Sequence, residues 1–190
     1  MIIIQNFRIG DIVGTTSGSP LAMLIKARTW GWRSALSQSK SSHIATVVDR
    51  GNGLLYFAEM LSGGIHLTEI HSYDHRAPNP HICFVGRHAA LCGSIGPTPV
   101  NSFATLYNNT ILALHARKVK YGYDDMVNYI MESFRIKIRD KESTLICSEL
   151  PRVGFDASFI PYPESWASRC SPMDWQCWPL LENVTRSIVS

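Results

Sequence analysis

The chain has 190 residues, of which 45% are apolar and 17% charged, with a formal net charge of +3. That composition describes a folded chain with a hydrophobic core, of a length that suits one domain over residues 1–190 with a core at about 8–175. The small charge, with no Lys/Arg run longer than a pair, argues against a nucleic-acid partner. Five cysteines at irregular spacing match neither a disulfide framework nor a paired C-x-x-C zinc site, so a reducing compartment is expected. The first residues lack the basic region and apolar length of a signal peptide, and no apolar run approaches the ~18 residues of a spanning helix. These features together predict a soluble, cytoplasmic protein without a transmembrane segment.

In chain order, Gly10 to Gly14 reads as a turn entering a strand. Ser19-Pro20 starts a helix, with Ser19 as cap and Pro20 at the first helical position. That helix carries Leu21, Leu24 and Ile25 on one face. Residues 29–42, with two tryptophans among cations and then serines, read as a loop. Trp30 and Trp32 beside arginines suit a grip on a ligand or membrane surface, or simple packing on the core. His43–Val48 and Leu54–Glu59 are strands joined by a Gly/Asn-rich hairpin. A loop of three residues (51–53) or five (49–53) puts His43 and Glu59 on one face, the longer loop making them direct partners. A two-residue Asn-Gly turn puts them on opposite faces.

Residues 64–68 and 82–87 are further short strands, with a loop at 71–80 and a linker at 93–99. A helix from Asn101-Ser102 carries Phe103, Leu106, Tyr107, Ile111 and Leu114 at a 3.6 period. A second helix starts near Tyr121–Asp125 and carries Val127, Ile130, Met131 and Phe134. Residues 135–143 are a polar loop. Strands first and helices later predict an α+β fold, a small antiparallel sheet packed on helices.

Thr144-Leu145-Ile146-Cys147-Ser148-Glu149-Leu150-Pro151 places a cysteine where an apolar run meets a helix. Pro151 requires that helix to start near Cys147 or Ser148. Unpaired N–H groups at a helix mouth favour an anion, so the Cys147 thiol is expected to ionise readily. His43 and Glu59, each at the end of an apolar strand, have the chemistry of a base and the group that orients it.

The motifs Gly10-Asp11-Ile12, Ser42-His43-Ile44, Ala58-Glu59, Gly64-Ile65-His66-Leu67, Val85-Gly86-Arg87, Tyr123-Asp124, Cys147-Ser148-Glu149-Leu150 and Ser171-Pro172-Met173-Asp174 occur in one order. Together they resemble the circularly permuted branch of the NlpC-type papain-like superfamily, the YiiX-like proteins. In that branch the histidine strand precedes the cysteine helix. The resemblance implies a papain-like fold with Cys147 as nucleophile, His43 as general base and Glu59 as its orienter, and no cofactor. It implies a peptide, a peptidoglycan fragment or a lipid as substrate. Gly10-Asp11 and Ser171-Pro172 match family turns without catalytic duty.

The expected activity is that of a thiol hydrolase cleaving an amide bond in a peptide or cell-wall-like substrate through an acyl-enzyme, with an acyltransferase or thioesterase acting on lipid acyl groups as the alternative. The Cys147 N–H is one oxyanion donor, and Tyr56, Tyr121 or Tyr123 is the candidate second. Bland readings stand beside these: a structural His43, a Glu59 paired with Arg50, and a Glu149 that merely suits the helix dipole. Two rivals belong to other classes. One is a zinc module drawn from His66, His71, His75, His81, Cys83, His88 and Cys92, although no recognisable ligand spacing is present. The other is a non-catalytic module gripping peptides or lipids in the same groove.

Overall fold

A computed structural model describes residues 6–73, 81–91, 102–122, 144–167 and 170–188. Six antiparallel strands form the sheet: β1 (Ile12–Thr16), β2 (His43–Asp49), β3 (Leu55–Leu61), β4 (Gly64–Glu69), β5 (His81–His88) and β8 (Leu181–Asn183), in the order β4-β3-β2-β1-β5-β8. Short β6 (Lys120–Tyr121) and β7 (Thr144–Leu145) form a separate parallel pair. The helices are α1 (Pro20–Trp30), α2 (Ser102–Ala116), α3 (Glu149–Ala157), α4 (Pro172–Cys177) and α5 (Thr185–Ile188). The expected α+β class and antiparallel sheet are both present. No described helix is long and apolar enough to cross a membrane.

Alternation along the strands divides the core in two. Ile44, Val48, Tyr56, Ala58 and Met60 face a cluster that includes Tyr107 and Ile111 of α2, and Leu150 and Phe155 of α3. Val13, Ala45, Val47 and Phe57 face a second cluster closed by Phe7, Ile70, Val184 and Ile188. The two central helices approach closely at one point. A Cβ on Gly154 would lie 2.5 Å from the ring of Tyr107, so only glycine lets α3 seat against α2. The Tyr107 hydroxyl in turn shares a 2.7 Å hydrogen bond with Thr46 of β2. Asn108 adds a second tie, accepting from the Asp49 N–H at 2.8 Å and donating to the Asp49 carbonyl at 2.9 Å.

Two of the short motifs prove to be joints of this scaffold. The carboxylate of Asp11 is gripped by Arg87, with Nε on Oδ1 at 2.8 Å and Nη2 on Oδ2 at 2.7 Å, and also accepts the Arg8 N–H. Burial pushes the Asp11 carboxyl up, and Arg87 opposes that push. Ser171 and Asp174 form a reciprocal capping box at the start of α4.

Several expectations need correction. The Ser19 cap is present, its Oγ accepting from the Ala22 N–H at 3.2 Å, but α1 buries Ala22, Lys26 and Ala27 while Leu21 and Leu24 stand exposed. The Lys26 side chain takes the inner face because its Nζ finds the carbonyls of Ser17 and Ser37 at 3.4 and 3.0 Å. The presumed loop at 29–42 gives its first two residues to α1 and contains a 3-10 turn at Trp32–Ser34. On α2 the buried stripe is Ala104, Tyr107, Asn108 and Ile111, with Phe103 and Leu106 exposed. The helix expected after Tyr123, the linker at 93–99 and the loop at 135–143 lie outside the described residues.

Gly154→Ala is expected to lower stability by about 2 kcal/mol, the range of an overpacked core. An unchanged urea unfolding midpoint would show that the α2–α3 contact has slack.

Candidate active site

The β2–β3 hairpin pairs Ala45 with Glu59 and Asp49 with Leu55. That is the register of the three-residue loop, so His43 and Glu59 share a face but stand diagonally rather than directly opposite. Diagonal neighbours remain within reach of long side chains. Nε2 of His43 lies 3.3 Å from Oε2 of Glu59, at ion-pair distance but off the line of a good hydrogen bond, and it has no other partner among the described residues. Arg50 does not compete for Glu59, because it lies over the Tyr56 ring at the far end of the hairpin.

Cys147 reaches the same cleft from the segment that leads into α3. Ser148 is the N-cap residue of α3, so the thiol sits one position outside the helix mouth, and Pro151 falls in the first turn where its missing N–H costs nothing. The segment is locked from behind. The Ser148 carbonyl accepts from Trp175 Nε1 at 2.8 Å and from the Cys170 thiol at 2.9 Å, while Ser148 Oγ donates to the Cys170 carbonyl at 2.7 Å. Trp166, Trp178 and Phe155 wall in Trp175, with ring centroids 4.8, 5.8 and 5.4 Å away. The Glu149 carboxylate accepts the Ile146 N–H at 3.0 Å, which tightens the turn carrying the cysteine.

The thiol and the imidazole act on each other directly. Burial is the strongest influence on Cys147 and pushes its thiol up. The His43 charge, a hydrogen bond from His43 and the N–H groups of Ile44 and Ser148 together overcome it and bring the thiol below its ordinary 9.0. For His43, burial again opposes the charged form, but the Cys147 thiolate, its hydrogen bond and then Glu59 raise the imidazole from 6.5 to about 10. Two other thiols go the opposite way: burial pushes Cys83 up to about 12 and also raises Cys170.

The pair opens into a cleft of about 240 Å³. Thr15, Thr16, Ser17 and Ser42 line it beside His43 and Glu59, and Leu21, Ile25, Met60, Leu61 and Tyr121 give it an apolar wall. Of the candidate second oxyanion donors, Tyr121 lines this cleft. The Tyr56 hydroxyl is occupied with Asn52 at the hairpin loop, and Tyr123 lies outside the described residues. Among the described residues the buried hydroxyls of Tyr73 and Thr15 make no well-formed hydrogen bond, yet Thr15 is close enough to Tyr73 to pull its phenol down against the larger push of burial. Burial, and next the Glu59 charge, raise the Tyr73 phenol. Sequence reading passed over Tyr73, which follows a strand end by several residues and belongs to no short motif.

The histidines and cysteines of the zinc alternative are dispersed. His88 stacks on Trp178 at 5.2 Å, His81 bonds the Gln38 carbonyl, and the Cys83 thiol donates to the Gly14 carbonyl. His66 stands exposed on β4, and His75 and Cys92 lie outside the described residues. No group of three or more His, Cys, Asp or Glu among the described residues could hold a metal ion. No protein-family model matches the chain, and no curated protein matches it.

Cys147 should be alkylated by iodoacetamide well below pH 9, while Cys83 and Cys170 stay silent. The sign follows from the directions above: the thiolate is lost as pH falls through the lowered Cys147 value, and its imidazolium partner as pH rises through about 10. In His43→Ala burial prevails, so labelling of Cys147 should move above pH 9. Site-resolved mass spectrometry across pH checks this, and identical profiles in both proteins would refute the coupling.

Proposed function

We propose that the chain is a cysteine hydrolase of the papain-like, circularly permuted NlpC type, with Cys147 as nucleophile, His43 as general base and Glu59 as orienter. The supporting observation is the Cys147–His43 pair itself, a thiol brought down and an imidazole raised in a cleft, with Glu59 at ion-pair distance behind. The permuted order, histidine strand before cysteine helix, agrees with this reading.

In the proposed reaction the Cys147 thiolate attacks a carbonyl carbon, forming the C–S bond as the carbonyl electrons move to oxygen. The Cys147 N–H receives the oxyanion, with the Tyr121 hydroxyl as the second candidate donor. Collapse breaks the bond to the leaving group, which takes the proton from the His43 imidazolium. Water then attacks the acyl-enzyme, giving its proton to His43, and the thiolate departs. Glu59 keeps the ring oriented through Nε2, leaving the other nitrogen for proton transfer. The hydroxyl-bearing floor and apolar wall suit a substrate with a neutral polar group at the scissile bond and an apolar acyl side. Peptides, peptidoglycan fragments and acylated lipids all meet that description. Transfer of the acyl group to an acceptor other than water would use the same first half-reaction.

Cys147→Ser and His43→Ala should each lower turnover by at least about 10³-fold with the fold intact, and Glu59→Gln by roughly 10²-fold. The check is a panel of peptide, muropeptide and acyl-ester substrates, with intact-mass detection of an acyl adduct on Cys147. Turnover that persists in purified Cys147→Ser would remove the nucleophile from this reading.

A further inference from the structure

Helix α1 is turned inside out for a helix that meets only water. Its buried side is Ala22, Lys26 and Ala27, with Lys26 only 1% exposed. Its outer side shows Leu21 at 43% and Leu24 at 45% exposure, followed one helical turn on by exposed Arg28. The spacing of these three, i, i+3 and i+7, makes one continuous stripe. The chain just beyond adds Trp32 at 76% and Leu36 at 73%. This loop is not loose, because Lys26 Nζ holds the Ser37 carbonyl and Trp30 Nε1 donates to the Ser41 carbonyl at 3.2 Å. Lys40 also sits 4.2 Å above the Trp30 ring. Helix and loop are thus one platform bearing large apolar side chains outward.

Charge indicates what that platform meets. Between Asp11 and Asp49 there is no carboxylate, while exposed Arg28 and Arg33 and half-buried Lys40 fall there beside the inward-turned Lys26. Leucine and tryptophan mixed with arginine and lysine, on an element that lies along the surface, is the pattern of an interfacial segment. Such a segment sinks its apolar side chains to the acyl boundary and sets its cations among anionic headgroups. A nucleic acid would engage the cations but offer nothing to the leucine stripe. An apolar protein partner would engage the stripe but gain nothing from the lack of carboxylates.

We infer that the outer face of α1 and the turn after it form a docking surface for an anionic lipid bilayer. Leu21 and Ile25 belong both to this platform and to the wall of the Cys147 cleft, so docking would set the cleft mouth at the membrane. That consequence for substrate delivery rests on the proposed thiol chemistry; the docking itself does not.

The test is co-sedimentation of the full chain with phosphatidylcholine vesicles, with and without phosphatidylserine, at low and raised salt. The variants are Leu24→Asp/Trp32→Ala/Leu36→Asp and Arg28→Gln/Arg33→Gln, none of them lining the cleft, each checked for folding by thermal unfolding. Binding to the serine-containing vesicles that weakens with salt is expected. The apolar triple variant should lose it by more than about tenfold, and the arginine double variant by roughly fivefold per charge. No binding, equal binding to both vesicle types, or equal binding by wild type and the triple variant would overturn the inference. So would a dimer in light scattering that the triple variant abolishes while vesicles are ignored, since a second copy would then cover the face. Iodoacetamide labelling of Cys147 keeps the two readings apart. Vesicle binding with an inert Cys147 would leave the docking standing and remove the hydrolase, and an activated Cys147 without vesicle binding would do the reverse.

Discussion

A thiolate and an imidazolium buried together each make tolerable a charge that burial would otherwise extinguish, and the geometry around Cys147 depends on that mutual support. For both groups desolvation is the largest single influence and acts against ionisation. Half-buried Cys83 and buried Cys170 show the outcome without a cationic ring in hydrogen-bond reach: thiols held in the neutral form. The difference lies less in burial than in the charge, the hydrogen bond and the two N–H groups facing Cys147. Such a pair tolerates little displacement, because interaction in a low-dielectric site changes steeply with distance.

Much of the scaffold serves to prevent that displacement. The cysteine segment is fastened at the Ser148 carbonyl by a thiol and an indole. The indole is itself enclosed by aromatic rings, and Gly154 lets α3 press onto Tyr107, whose hydroxyl reaches Thr46 on β2. The helix that follows Cys147 and the strand that begins at His43 are thereby tied through one buried bridge. Asp11 and Arg87 do similar work between the turn before β1 and strand β5, through two charge-assisted hydrogen bonds.

The legible parts of the sequence were those governed by local rules. Period-two alternation placed His43 and Glu59 on one face once the loop length was odd, and Pro151 confined Cys147 to the helix mouth. The choice between three and five loop residues was not legible, because Gly51, Asn52 and Gly53 suit either turn. The orientation of α1 departs from its leucine spacing for a specific reason. Leucines at helical spacing normally mark the buried side, but here a lysine found two backbone carbonyls beneath the helix and took that side instead. Neither carbonyl belongs to a pattern readable along the chain. The clamp on Ser148 was hidden for the same reason, since Cys170 and Trp175 stand 22 and 27 residues away from it. Pairing at such separation leaves no periodic trace.

The inverted helix also bears on how the cleft is built. A cleft needs one wall whose side chains are not consumed by the core, and turning α1 outward supplies it. The buried Lys26 holds the helix by its carbonyl contacts and frees Leu21 and Ile25 to line the opening. With the leucines turned inward, the same stretch would contribute to the core and leave a more polar mouth over Cys147. Polar His43, Glu59, Thr15 and Ser42 line the cleft together with apolar Leu21 and Ile25 of α1 and Met60 and Leu61 of β3. The anchoring of one lysine therefore bears on the shape and polarity of the cleft beside the thiol.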